Sequence, residues 1–125
     1  MPPLAAIRDN EGVQTSDITP TLDRAQLRGI TMDDEQLMRE IVDALIDDTA
    51  RQITLLDGAI RASDAANCKR LAHYSKGACA NVGANRAAGL FRDLERNAAS
   101  GNFRACAALL DSLAGEIELL RNETI

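Results

Sequence analysis

The chain has no tryptophan, one tyrosine (Tyr74) and two phenylalanines (Phe91 and Phe103), so aromatics make up only 2% of its 125 residues. A core of stacked rings is excluded, and the 46% hydrophobic content must pack as Leu, Ile, Val, Ala and Met. Strand-forming residues are scattered, whereas Ala, Leu, Arg, Glu and Asp dominate from Leu22 onward. That composition favours helices over strands. Cationic excess is also missing: 14 Lys and Arg face 19 Asp and Glu, for a net charge of −5. Nucleic-acid binding by counterion release is therefore excluded, and an anionic membrane surface would repel the chain. No uncharged apolar run nears the roughly 18 residues that span a bilayer. Met1 to Asn10 also lacks the basic-then-apolar order of a signal peptide. A cytoplasmic protein with no nucleic-acid or membrane partner is expected. The three cysteines (Cys68, Cys79 and Cys106) cannot all pair, and a chain of this size folds without staples, so buried reduced thiols are expected.

One domain is expected. Residues 1–18 hold Pro2, Pro3, Asn10 and Gly12 without a sustained period and read as a flexible N-terminal tail, leaving 19–125 as the folded part. Thr19 and Pro20 match an N-cap followed by proline at the first helical position, opening a short helix that stops at Gly29. Thr31 and Asp34 fit a capping box at the head of a long helix, Met32 to Ala62. Its apolar stripe is thinned midway by Asp48 and Gln52, which points to either a bend or a wet patch. Ser63 and Asp64 cap a third helix that runs to Val82, with Gly83 supplying a left-handed end. Ala84 to Ala99 forms a fourth, stopped by Ser100 and Gly101. Asn102 to Arg121 forms a fifth, carrying the regular stripe of Phe103, Cys106, Leu110, Leu113, Ile117 and Leu120. The expected architecture is all-α: an antiparallel four-helix bundle with the short N-terminal helix capping one end. Such a bundle can bury its stripes within one chain, so a monomer is expected.

The third helix separates into two faces at 100° per residue. Cys68, Leu71, Ala72, Ser75, Ala78, Cys79 and Val82 fall on the core side. Ala66, Lys69, Arg70, Lys76, Gly77 and Ala80 fall within about 60° of His73. The only histidine of the chain thus stands on a low, basic strip. Glycine in mid-helix costs about 1 kcal/mol relative to alanine. At Gly77 that cost is offset if another molecule, or else a crossing helix, approaches closely.

The segment from Ala72 to Ala84 (Ala-His-Tyr-Ser-Lys-Gly-Ala-Cys-Ala-Asn-Val-Gly-Ala) resembles the A-H-x-L-K-G-x-x-x-x-x-G-A signature of the histidine-containing phosphotransfer (HPt) family. The Leu94-Glu95 pair agrees, and a weaker resemblance extends over Leu22 to Leu120. Ser75 departs from it, standing where the family usually has leucine. On the core side its hydroxyl is expected to bond back to the Leu71 carbonyl. The resemblance implies that His73 accepts a phosphoryl group from the phospho-aspartate of a response-regulator receiver domain, or passes one to it. Lys76 would stabilise the phosphoryl group, Gly77 would give the partner access, and Ala66, Lys69, Arg70 and Ala80 would line the docking face. The receiver partner would belong to a hybrid histidine kinase or another phosphorelay protein. No cofactor or metal is expected on this chain, and Mg²⁺ is expected on the receiver. A neutral imidazole nitrogen would be the nucleophile, and Lys69, Arg70 and Lys76 would favour the phosphorylated product.

Three other readings compete. Zinc held by the cysteines and His73 requires ligands on one face, and the wheel puts Cys68 and Cys79 opposite His73. The dimerisation helix of a sensor kinase usually carries an acidic residue and a nearby proline after its histidine, where this chain has Tyr74 and Ser75. Without an ATP-binding segment the chain is expected to be a phosphoryl carrier and not a kinase. The third alternative is a helical adaptor that binds a receiver or kinase without accepting phosphate.

Overall fold

A computed structural model describes residues 19–125; the tail expected over 1–18 lies outside them. Five helices and no strands occur among the described residues: α1 Arg24–Thr31, α2 Glu35–Arg61, α3 Ala65–Val82, α4 Asn85–Ala99 and α5 Phe103–Arg121. The all-helical expectation holds. Helix α3 packs on α2 and α4, α5 packs on α4 and α2, and α1 lies against α2 and α3. Leu27, Leu56, Phe91, Leu94, Leu113 and Leu120 are fully buried where these elements meet. Each such side chain contributes about 1.5–3 kcal/mol on leaving water, so this shared core holds the ring together.

Local caps set most of the boundaries. Asp34, Asp64 and Asn102 accept the backbone N–H of Leu37, Asn67 and Ala105, satisfying donors that the first helical turn leaves free. Gly83 ends α3 with φ 100° as expected, and Gly101 turns the chain into α5 with φ 76°.

Two expected starts need correction. Thr19 does not cap α1 and Pro20 lies outside it; Asp23 is the cap, accepting from the N–H of Gln26 at 3.1 Å. A tertiary contact decides this, because the Asp23 N–H donates to the Gly83 carbonyl at 2.8 Å and anchors the entry to α1 on the end of α3. Gly29 does not stop α1, which continues to Thr31 and ends at Met32 in the left-handed conformation. Thr31 opens no capping box: its hydroxyl donates back to the Leu27 carbonyl at 2.8 Å, and Asp34 alone caps α2.

Helix α2 runs unbroken past its polar middle. The residue buried there is Thr49, whose hydroxyl bonds the Leu45 carbonyl at 2.8 Å. Asp48 lies half-buried at the edge toward α3.

Ser75 is fully buried, but its Oγ has no hydrogen-bond partner, so the expected bond to the Leu71 carbonyl is absent. An unpaired buried hydroxyl costs about 1–3 kcal/mol. Ser75→Ala removes it and improves helix propensity, and we expect a gain of about 1 kcal/mol, read as a rise in the thermal midpoint of about 4 °C or more. A lower midpoint would show that the hydroxyl is satisfied in solution.

Candidate functional site

Helix α3 carries its core residues inward and its polar strip outward as the wheel requires. Cys68, Leu71, Ala72, Ser75 and Cys79 are buried, while Ala66, Lys69, Arg70, His73, Gly77 and Ala80 are exposed and Lys76 is half-buried. The His73 side chain is 69% exposed. A β-carbon added at Gly77 would meet nothing within 4 Å outside its own helix, so no crossing helix explains that glycine. The surface beside His73 is low because the side chains at positions 66, 77 and 80 are small and exposed.

The strip is less purely basic than expected. Glu95, reaching across from α4, places Oε2 3.1 Å from His73 Nδ1 and accepts from Lys76 Nζ on Oε1 at 2.9 Å. One carboxylate thus spans two residues of α3. The Lys76 ammonium first, and His73 after it, hold the Glu95 carboxyl below the usual carboxylate range against an opposing push from burial. Arg70 is turned aside as well, donating to the Asn67 side chain.

This arrangement assigns the ring nitrogens. An ionised carboxylate only accepts, so the proton between His73 and Glu95 sits on Nδ1. In the neutral ring the lone pair is then on Nε2, the nitrogen not engaged by Glu95. The site therefore offers one orientated nucleophilic nitrogen on an exposed and unobstructed face, with an ammonium about one helical turn away.

A second hydrogen-bond chain borders His73 on the side of α2. The Tyr74 hydroxyl donates to Asp48 Oδ2 at 2.9 Å, and Arg51 reaches Asp48 Oδ1 at 3.4 Å. The bond to Asp48 raises the Tyr74 phenol above its usual range, keeping it a donor.

Cys68, Cys79 and Cys106 are free and buried, away from the exposed imidazole, and no group of acidic, cysteine and histidine residues among the described ones could hold a metal ion. The zinc reading therefore lacks a site there. No helix among the described residues is long and apolar enough to cross a membrane.

Sequence reasoning placed His73, Lys76 and Gly77 together and missed the role of Glu95, which entered only as half of a matching dipeptide. Its position one residue after the buried Leu94 puts it at the rim of the α4 apolar stripe. Which helix that rim faces is decided by the packing of α4 on α3.

The family model for the Hpt domain matches residues 40–123, more than half of the chain. No curated protein matches it. Among solved structures, the chain is similar to histidine-containing phosphotransfer protein B (HptB) from Pseudomonas aeruginosa PAO1, with a TM-score of 0.75 and 28% identity, covering 82% of this chain and 89% of that one. With a helical fold of that kind and a histidine exposed on α3 within the matched residues, the chain belongs to the Hpt domain family.

Proposed function

We propose that the protein is a phosphorelay intermediate of two-component signalling in which His73 carries the phosphoryl group. The observation that carries this reading is the exposed His73 ring fixed by Glu95 through Nδ1. The Nε2 lone pair attacks the phosphorus of a receiver's aspartyl phosphate. An N–P bond forms, the bond from phosphorus to the aspartyl oxygen breaks, and its electrons leave with the regenerated carboxylate. The Nδ1 proton stays in its bond to Glu95, which offsets the positive charge that the ring acquires. Transfer in the reverse sense delivers the group to another receiver.

In-line phosphoryl transfer needs positioning and charge neutralisation more than covalent help. Lys76 is the group placed to turn toward the phosphoryl oxygens, while Mg²⁺ belongs to the receiver. Gly77 and the small Ala66 and Ala80 let the partner's cleft descend over the ring, and Lys69 and Arg70 border its path. The same reading takes α2 to α5 as an antiparallel four-helix bundle capped at one end by α1, acting as a cytoplasmic monomer. The carrier has no kinase activity of its own.

The test is to incubate the protein with phosphorylated receiver domains and look for acid-labile label. Label on the chain is expected; stable binding without label from any receiver would favour the adaptor reading instead. Two variants refine the assignment. Lys76→Ala should slow transfer about tenfold without unfolding the protein. Gly77→Leu should fold at least as well as wild type, since its β-carbon enters open space. It should nevertheless weaken receiver binding about tenfold by raising a wall beside His73. Unchanged affinity would refute the access role of Gly77.

A further inference from the structure

Tyr74 is a large side chain left 53% exposed, the only tyrosine of the chain, and the immediate neighbour of His73. Nothing in the fold requires it to stand there, since its ring contributes to no buried cluster. Its hydroxyl is nevertheless tied to Asp48, which is itself tied to Arg51. The ring is thus tethered toward α2 without being packed in the core.

On the helical wheel Tyr74 lies about 100° from His73 on the flank facing α2, and Lys76 lies about 60° away on the other flank, facing α4. Each flank is pinned by a carboxylate from the neighbouring helix: Asp48 on one side and Glu95 on the other. Between them run the low positions Gly77 and Ala80. A partner that closes over His73 therefore meets the exposed face of Tyr74 on its α2 side.

We propose that Tyr74, held by Asp48, is the contact residue that sets the orientation of the incoming receiver domain on the α2 side of His73. This rests on the phosphotransfer reading above. Tyrosine offers a large amphipathic contact area with only two rotatable bonds, and such residues anchor protein interfaces when they are already rigid before binding. The Asp48 bond supplies that rigidity, so Asp48 is a positioning residue that acts through Tyr74. Tyr74 takes no part in bond making, and its loss should appear in KM and not in kcat.

The experiment uses the full chain and a phosphorylated receiver domain that labels the wild-type protein. Tyr74→Ala should raise the KM for that receiver about tenfold or more while kcat stays within about twofold. Tyr74→Phe keeps the ring and loses the tether, so a rise of about threefold is expected. Asp48→Ala should match Tyr74→Phe, and the double variant should be no worse than either single one. Thermal midpoints of the Tyr74 variants should stay near wild type, as that side chain is exposed. A Tyr74→Ala protein with unchanged KM, a change confined to kcat, or additive effects of Asp48→Ala and Tyr74→Phe would overturn the proposal. If no receiver labels the wild type, the phosphotransfer reading falls and takes this inference with it. If the wild type is labelled and the Tyr74 variants behave like it, only this inference falls.

Discussion

Replacing His73 by glutamine should reduce phosphoryl acceptance to background while leaving the fold intact. Glutamine approximates the length of the side chain, and its amide N–H can still donate to Glu95 Oε2, so the surface around the site is disturbed little. What it lacks is a lone pair basic enough to attack phosphorus, because the amide nitrogen is conjugated with its carbonyl. The side chain is mostly exposed, so stability should change by no more than about 0.5 kcal/mol. Acid-labile label and a denaturation curve on the same preparation check both halves. Label that persists in the variant would place the acceptor elsewhere, and a large loss of stability would make His73 a structural residue.

The second large effect is structural and lies at the far end of the same helix. Gly83→Ala should destabilise the protein by about 3 kcal/mol, which corresponds to a drop of at least about 10 °C in the thermal midpoint. Two causes act together. The residue sits at φ 100°, where a side chain is strained, and an added β-carbon would come within 2.9 Å of the Asp23 carbonyl oxygen. That neighbour is backbone: the Asp23 carbonyl accepts from the Leu27 N–H while the Asp23 N–H donates to the Gly83 carbonyl, so it cannot turn aside. The entry to α1 would have to separate from the end of α3. A midpoint unchanged within about 2 °C would mean that α1 contributes little to the stability of the rest.

These two sites mark where the sequence is readable. The ends of α3 and the start of α5 follow from short-range chemistry: Asp64 and Asn102 cap the residues three positions ahead, and Gly83 adopts the conformation that suits glycine. The inward and outward faces of α3 follow from the helical period alone, which is why the exposure of His73 and Gly77 could be anticipated. The start of α1 could not, because the Thr19-Pro20 pattern is overridden by a backbone bond from Asp23 to Gly83, far along the chain. Glu95 and Asp48 were hidden for the same reason. Each belongs to a different helix from the residue it holds, and only packing brings their carboxylates to His73 and Tyr74. Ser75 is the opposite case: the local back-bond expected of a helical serine is missing, and the hydroxyl is buried without a partner.

The three cysteines give the folded protein its own clock. Cys68, Cys79 and Cys106 have no exposed surface, and burial pushes the Cys79 thiol up to about 12. Alkylating reagents need both access and a thiolate, and the native state withholds both. In an opened chain a thiol returns to about 8.5 and reacts freely. The rate at which a dilute alkylating reagent modifies these residues therefore counts opening events, and neither an added label nor a mutation is needed to read it.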